Sequence, residues 1–301
     1  SGRFVLVLTM IVILVVIPPL TSQLSVLSGL TSKYSREKYT RSRKTPQHLV
    51  LIGDCGPESY DACLQELYNE DHGDLDFDTV IMQSEPDEDL PLIFKDTTYS
   101  TKVFYLAGNA LEHKDLKRCR SENCLCVILL ANKHSTKPKD EDAKTIMKAL
   151  TIRKHSYRYG INDNLNIYMQ LLLPETKKMY FSALTKDSQT HDQIICVEEI
   201  KLQMLGKSCV CPGINTIIAS LTTSNKPTVN DDLGDNNNEE WYKEYLEGLG
   251  TEIYNITIKA ELLHGLTFND LAKIVYELTG LAVIGIDVVF EYLEPFVCLN
   301  P

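Results

Sequence analysis

The sequence predicts an α/β fold: a Rossmann-like, doubly wound parallel sheet with a helical crossover and a truncated α+β lobe, preceded by one transmembrane helix. Two observations lead to this fold class. Short apolar runs bounded by turn residues alternate with segments of helical periodicity, as in parallel strands joined by crossover helices. In addition, the chain starts with an apolar stretch that is too long for a strand. The strands are expected at 48–53, 78–83, 102–107, 124–130 and 164–169.

The first strand and the helix after it are the clearest unit of this sheet. The run from His48 to Gly53 is short and apolar, which suits a central parallel strand. Pro57 then fits the first position of a helix. The helix has four residues at the i, i+3, i+4, i+7 spacing of a buried face: Tyr60, Cys63, Leu64 and Leu67.

Residues 1–28 are predicted to form a transmembrane helix. Phe4–Ile17 is uniformly apolar apart from Thr9, and with the weakly polar residues that follow it reaches the roughly 20 residues that cross a bilayer. A secretory signal and a buried core helix are the alternatives. A signal is disfavoured because no small-residue cleavage motif precedes Pro18, and a core helix is disfavoured because the segment is β-branched all round.

A basic linker at 29–47 is expected to join this helix to the rest of the chain. Positive charge beside a membrane span marks the cytoplasmic side, so the C-terminal domain is predicted to be cytoplasmic. The 9 cysteines are scattered and mostly lie in apolar runs, which agrees with buried, reduced thiols in that compartment. The basic residues of the linker are Lys33, Arg36, Lys38, Arg41, Arg43 and Lys44.

Three further segments are expected after the linker. They are a Rossmann-like N-lobe, a helical crossover with a flexible loop, and a truncated C-lobe, at 48–190, 191–236 and 237–301. The N-lobe is predicted to contain a long helix at 140–157, and the crossover helices at 192–205 and 212–221. In the C-lobe we expect a helix at 268–278 and a strand within 281–290.

Charge and motifs argue against several classes of function. A net charge of −11 disfavours nucleic acid as a partner. No Gly-x-Ser-x-Gly or His-Glu-x-x-His motif occurs, so no enzymatic activity is predicted. The spacing of Cys119, Cys124 and Cys126 lacks the second pair that a zinc site needs.

The turn after the first strand is the place where a Rossmann fold would carry its dinucleotide-binding motif. Only Gly53 and Gly56 are present, so the three-glycine fingerprint is incomplete. Pro57 also removes an N–H from the helix start, and Asp54 and Glu58 place negative charge where a pyrophosphate would bind. No nucleotide cofactor is predicted.

An acidic segment follows the first helix and allows two interpretations. It contains Glu66, Asp71, Asp74, Asp76 and Asp78. One interpretation is a solvated acidic turn. The other is that Glu66 and Asp71 join a distant carboxylate in an oxygen-only cation site.

Several parts of the sequence resemble calcium- and voltage-activated large-conductance potassium channels of the Slo (BK) family. The end of the apolar span at Ile17-Pro18, the linker with Lys33-Tyr34 and the strand at 48–53 are similar to the family's pore-lining inner helix, linker and first strand. The next segments resemble its first RCK domain, the regulator of potassium conductance. They are Leu130–Lys133, Glu141–Ala143, Ile146-Met147, Glu198–Leu202, Ser208-Cys209, Trp241, Tyr245–Gly248 and Glu252–Tyr254.

The resemblance implies a regulatory calcium ion in this domain. Asp71 and Glu252 would supply carboxylates, and a backbone carbonyl near Gly250 would be a further ligand. Glu66 stands where the family usually has Asp, and Asn225 stands near a position that normally carries Arg. A magnesium site of this family would use Asp78 in place of Glu, but its second acid is lost around Phe104, so no magnesium site is expected.

The resemblance implies that the chain is part of a voltage-gated, calcium-activated potassium channel subunit. This subunit would lie in a membrane, and the plasma membrane is the expected one. The RCK domain would bind calcium and pull the pore open through the linker. Its partners would be three further copies in a homotetramer, the subunit's second RCK domain, membrane lipid and the permeant potassium ion. The alternative is an RCK-fold assembly or gating module that does not itself bind calcium. A membrane-anchored NAD-dependent reductase ranks last.

Overall fold

The computed structural model describes nine continuous segments and several single positions. They are residues 33–40, 47–69, 77–85, 100–159, 165–183, 192–223, 253–256, 265–288 and 296–301, with 90, 241, 244, 248, 251 and 258. The predicted transmembrane helix at 1–28 and the turn-rich segment 225–240, which was predicted to be a flexible loop, lie outside them. In these segments no helix combines the length and the hydropathy that a membrane span requires.

A six-stranded parallel sheet forms the centre of the N-lobe, in the spatial order β3-β2-β1-β4-β5-β6. The strands are Gln47–Gly53 (β1), Phe77–Gln83 (β2), Val103–Ala107 (β3), Cys126–Leu130 (β4), Asn166–Leu171 (β5) and Gln193–Cys196 (β6). Leu51 in β1 pairs with Ile81 on one side and with Ile128 on the other. The strand order reverses between β1 and β4, so the predicted doubly wound sheet is confirmed.

The helices that the structure describes with firm bounds are Pro57–Leu67 (α1), His113–Arg118 (α2), Pro138–Tyr159 (α3), Pro174–Ala183 (α4), Val197–Val210 (α5), Ile214–Thr222 (α6) and Phe268–Thr279 (α7). Short 3-10 helices occupy Lys33–Ser35 and Ser121–Asn123. Proline is the first residue of α1, α3 and α4, where its missing N–H has no partner in the helix. The predicted face of α1 is confirmed: Tyr60 and Leu64 are fully buried.

Two hydrophobic cores lie on the two faces of the sheet, because successive strand residues point to opposite sides. Val50 and Ile52 belong to the larger core, whereas Leu49 and Leu51 belong to the smaller one together with α1. The larger core also takes buried side chains from α2, α3 and α4, among them Leu116, Ile152 and Tyr180. Both faces of β1 are therefore covered, as its continuous apolar sequence predicts.

The crossover differs from the prediction at its start. A helix was expected from Asp192, but residues 193–196 form β6, and α5 begins only at Val197. The Asp192 carboxylate accepts a hydrogen bond from the backbone N–H of Ile167 in β5 at 3.1 Å, which holds the chain beside that strand. This tertiary contact overrides the helical periodicity of the local sequence.

The C-lobe contains α7 and an antiparallel pair of strands, Gly285–Val288 (β7) and Phe296–Leu299 (β8). The first strand lies within the predicted run, whereas β8 was not predicted. Gly285 is required at its place, because a Cβ there would lie 2.6 Å from the carbonyl oxygen of Cys298. Helix α7 begins with a capping box between Thr267 and Asp270 and ends at Gly280, whose φ is 75°.

All nine cysteines are free thiols. Cys55, Cys119, Cys124 and Cys196 are buried, as predicted, but two others in the crossover are exposed: Cys209 and Cys211. Burial raises the pKa of the Cys119 thiol to about 12, so this thiol stays protonated and unreactive.

Candidate functional site

The first part of the candidate site is the C-terminal end of α1. Glu66 lies in the last turn of this helix and is half-buried. No basic residue occurs in that turn, which the structure describes in full. The Glu66 carboxylate offers the hard oxygen atoms that calcium prefers. The assignment of Glu66 as a calcium ligand stays a prediction.

Tyr68 fixes the chain on both sides of the segment 70–76, which contains Asp71. Its hydroxyl donates to the carbonyl oxygen of Phe77 at 3.2 Å and lies 2.8 Å from Oγ1 of Thr79. The rings of Tyr68 and Phe77 are 5.3 Å apart. Burial raises the pKa of Tyr68 to about 12, so the phenol keeps its proton for these bonds. The end of α1 and the start of β2 are thus held together.

The other three predicted calcium ligands, Asp71, Gly250 and Glu252, lie outside the described residues. Their place beside Glu66 stays a prediction. In the segments that the structure describes, no three His, Cys, Asp or Glu side chains gather into a group that could hold a metal ion. Glu66 is accordingly the one predicted ligand whose position is described.

The second part of the site is a buried arginine that binds the segment preceding β1. Arg118 is 7% exposed, and its guanidinium donates to the carbonyl oxygens of Tyr34 at 2.7 Å and Glu37 at 2.9 Å. It also donates to the carbonyl oxygen of Ala107 and to the carboxylate of Asp115, both at 2.9 Å. The planar fork of an arginine suits such multiple contacts. Arg118 thus joins the middle of the predicted linker to β3 and α2.

Tyr39 adds a second set of contacts to the same segment. Its backbone N–H donates to the carbonyl oxygen of Arg118 at 3.0 Å, and its hydroxyl donates to Asp78 at 2.7 Å. Its ring lies 4.7 Å from the ring of His48 and 5.2 Å from that of Phe104. Tyr39 is only 3% exposed. We call residues 34–40, with their contacts to Arg118, Asp78, His48 and Phe104, the linker dock.

Two residues that were considered above for a magnesium site, Asp78 and Phe104, belong to the linker dock. Asp78 is buried and accepts the Tyr39 hydroxyl, and Phe104 contacts the ring of the same tyrosine. Both side chains therefore take part in packing the linker on the sheet.

The third part of the site is the crevice at the switch point between β1 and β4, where Rossmann folds bind nucleotides. The ammonium of Lys148 in α3 lies 2.7 Å from the Asp54 carboxylate, which also accepts the backbone N–H of Ser84 at 2.9 Å. Burial opposes the ionisation of Asp54, but Lys148 and Ser84 outweigh it and lower the pKa of this carboxyl. The crevice holds an ion pair in which an anionic carboxylate stands where a phosphate would bind.

Sequence reasoning missed Arg118, Tyr39 and Lys148. Arg118 and Lys148 are ordinary members of charged helical segments in the sequence, and nothing in their spacing marks them as buried. Their partners are distant in sequence: Lys148 is 94 residues from Asp54, and Arg118 is 84 residues from Tyr34. Only the fold brings these groups together.

Two family models match the chain. The model for the calcium-activated potassium channel slowpoke-like RCK domain matches residues 44–204, and that for the calcium-activated BK potassium channel alpha subunit matches residues 192–286. Together they cover the sheet, the crossover and most of the C-lobe. The first model covers more than half of the chain.

Similar proteins agree with these matches. The chain is 27% identical to the calcium-activated potassium channel slo-1 of Caenorhabditis elegans over 302 residues, and 27% identical to the calcium-activated potassium channel slowpoke of Drosophila melanogaster over 303 residues. Both alignments cover 100% of this chain, but 25% and 24% of the relatives, so the chain spans about a quarter of their length. The human SLO3 gating ring has a similar fold, with a TM-score of 0.60 and 22% identity over 85% of this chain and 41% of that chain.

Proposed function

Because this chain belongs to the slowpoke-like RCK domain family of calcium-activated potassium channels, we propose that it is the gating part of a potassium channel subunit, which binds calcium and opens the pore through its linker. The pore-lining helix would be residues 1–28, in the plasma membrane and in contact with lipid. The RCK domain would lie in the cytoplasm. Four copies would surround one potassium pathway.

The observation that carries this proposal is the linker dock. A gating domain can move a pore helix only if the connecting chain is fixed to the domain. Residues 34–40 are fixed at two points, since Arg118 binds two of their carbonyl oxygens and Tyr39 is buried against the sheet. A displacement of α2 or β3 therefore moves the linker with it, and the linker would transmit this displacement to the preceding helix.

In this proposal, calcium binding supplies the free energy that opens the pore. Glu66, Asp71 and Glu252 would offer carboxylate oxygens, and Gly250 a backbone carbonyl. In the sequence Glu66 precedes Tyr68 and Asp71 follows it, and Tyr68 itself contacts Phe77 and Thr79. If calcium binds one domain conformation more tightly than the other, it shifts the equilibrium towards that conformation. The free energy that calcium can contribute to pore opening cannot exceed the difference between its binding free energies for the two conformations.

Exposed apolar helix faces support assembly with further subunits. The crossover helices α5 and α6 have no buried residue, and both carry exposed isoleucines, among them Ile200 and Ile217. Helix α7 likewise exposes Leu278 at 79%. Such faces are typical of protein interfaces. We propose that they contact neighbouring RCK domains, including the second RCK domain of the same subunit.

The calcium site is tested by calorimetric titration of calcium into the purified chain, with Glu252→Gln in parallel. We expect a Kd in the sensor range of roughly 10⁻⁷ to 10⁻⁵ M, and at least about tenfold weaker binding when the carboxylate becomes an amide. The exposed Glu244 lies in the same segment, so Glu244→Gln is the matched control and should leave the Kd unchanged. Circular dichroism first confirms that each variant is folded.

A second candidate function is assembly without calcium sensing. The feature that favours it is Asn225, where the resemblance implies an arginine near the calcium site. A folded chain that gives no calcium heat would support this candidate and contradict the calcium site. Equal calcium affinity in Glu252→Gln and the original chain would also contradict the ligand assignment.

A nucleotide-dependent reductase remains the last candidate, and it has a simple test. NADH that binds the folded chain raises its unfolding temperature by mass action. We expect no change, because Lys148 is already paired with Asp54 in the crevice. An increase that disappears in Lys148→Met would revive the nucleotide interpretation.

A further inference from the structure

A buried histidine lies at the centre of a cluster that neither the calcium site nor the linker dock uses. The side chain of His155 in α3 is 0% exposed. Its Nδ1 is 3.0 Å from Nδ1 of His113, the first residue of α2, and its Nε2 is 3.5 Å from Oε2 of Glu122. The Tyr159 ring covers the imidazole, with 4.7 Å between the ring centroids.

The distance between the two Nδ1 atoms limits how many protons the pair can hold. When both rings are neutral, one Nδ1–H donates to the lone pair of the other Nδ1. With one additional proton, one ring is positively charged, and its Nδ1–H still donates to the Nδ1 lone pair of the other ring. The Glu122 carboxylate then faces this positive charge. A second additional proton sets two N–H groups against each other, so the contact between His113 and His155 breaks.

The surroundings favour the neutral state of His155. Burial lowers the pKa of His155 from its usual value of 6.5, the Glu122 carboxylate opposes this, and His113 and Lys117 on α2 lower the pKa further. The unfolded chain therefore binds this proton more readily than the folded chain does. Folded-state stability from this site is complete above pH 6.5 and decreases as the pH falls below it.

The cluster is connected to the linker dock through one short helix. Helix α2 has six residues, begins at His113 and ends at Arg118, the residue that binds the linker. A shift of His113 away from α3 therefore displaces Arg118. We propose that His113, His155 and Glu122 form a proton-binding site, and that the second additional proton, which breaks the contact between the two rings, loosens the linker dock. That this also regulates pore opening rests on the function proposed above.

Amide hydrogen exchange on the purified chain tests this coupling. The Tyr39 N–H is bonded to the Arg118 carbonyl at 3.0 Å, so its protection factor reports the state of the dock. Between pH 7.5 and 5.5 we expect this factor to fall about tenfold, a loss of about 1.4 kcal/mol of local stability. In His155→Gln the factor should become nearly independent of pH. His134→Gln is the matched control, because His134 is exposed.

The proposal is overturned if His155→Gln and His134→Gln show the same pH dependence as the original chain. If His155→Gln does not fold, NMR titration of the histidines in the original chain decides instead, and a His155 ring already doubly protonated at pH 7.5 contradicts the proposal. Neither measurement involves calcium or current. A negative result therefore leaves the proposed channel function standing, and absent calcium binding would not affect the proton site.

Discussion

Replacing Arg118 by methionine is expected to release the linker from the RCK domain and to cost roughly 3–5 kcal/mol of unfolding free energy, the range for breaking a buried charge pair. The variant keeps most of the apolar volume but removes the guanidinium donor from three backbone carbonyl oxygens and from the Asp115 carboxylate, which keeps its bond from the Asn109 N–H. Asp115 is only 14% exposed, so its charge is poorly solvated once Arg118 is gone. Urea unfolding measures the loss of stability.

Arg118→Met should weaken the coupling between calcium binding and pore opening, but not calcium binding itself. This change does not alter the proposed calcium ligands. The heat of calcium binding should therefore still be measured in a variant that folds. In a full-length subunit that contains this chain, current should become far less sensitive to calcium. Loss of calcium binding and of calcium-dependent current together would show instead that the variant disturbs the whole domain.

Two variants serve as controls for this experiment. Lys114→Met removes a positive charge from the exposed side of the same helix and should change neither stability nor gating. Arg118→Lys keeps the charge but not the planar fork, and should fall between the original chain and Arg118→Met. A fully active Arg118→Met channel would contradict the role assigned to the linker dock.

The sequence predicted the sheet better than it predicted the sites, and the reason is physical. Strand β1 and helix α1 are determined by local patterns, a continuous apolar run and a stripe of buried residues, and both lie within one residue of the expected positions. The sixth strand was missed because Asp192 fixes it through a contact with β5 that local periodicity does not encode.

The same distinction applies to the candidate sites. Glu66 could be proposed from sequence because it begins a visible run of acids, and the family resemblance supplied the prediction of its partners, which is still untested. Arg118, His155 and Lys148 were not singled out, since their roles depend on burial and on partners from other elements. A buried charged residue can have an ordinary sequence context, and only its surroundings in the fold show that it is paired.

Removing the Asp192 carboxylate is expected to have the largest effect on the N-lobe itself. This side chain is fully buried and accepts hydrogen bonds from the Arg153 guanidinium, the Ile167 N–H and the Tyr180 hydroxyl. It thereby connects α3, β5 and α4 at the start of β6. Burial and the charge of Asp192 both raise the pKa of Tyr180, so the phenol remains a donor. Asp192→Ala removes the acceptor that these three donors share, although the Arg153 guanidinium still donates to the carbonyl oxygen of Leu165, and should cost about 3–5 kcal/mol.

Unfolding in urea gives this cost, and Glu175→Ala gives the comparison. Glu175 pairs with Lys139 at 3.6 Å, but both side chains are 76% exposed, so its loss should change stability by at most about 1 kcal/mol. Equal losses in the two variants would mean that burial adds nothing to the Asp192 interactions.

Asp192→Ala also tests why residues 193–196 form a strand although their sequence continues into a helix. If the bond between Asp192 and Ile167 selects the strand, the amides that pair β6 with β5 should lose protection in hydrogen exchange more than those of β1. Helix α5 should then extend towards residue 193, because its first turn is no longer held beside β5. If the protection of β6 is unchanged in a variant that is measurably destabilised, side-chain packing rather than the Asp192 bond forms the strand. Cys196, which is buried at the end of β6, belongs to that packing.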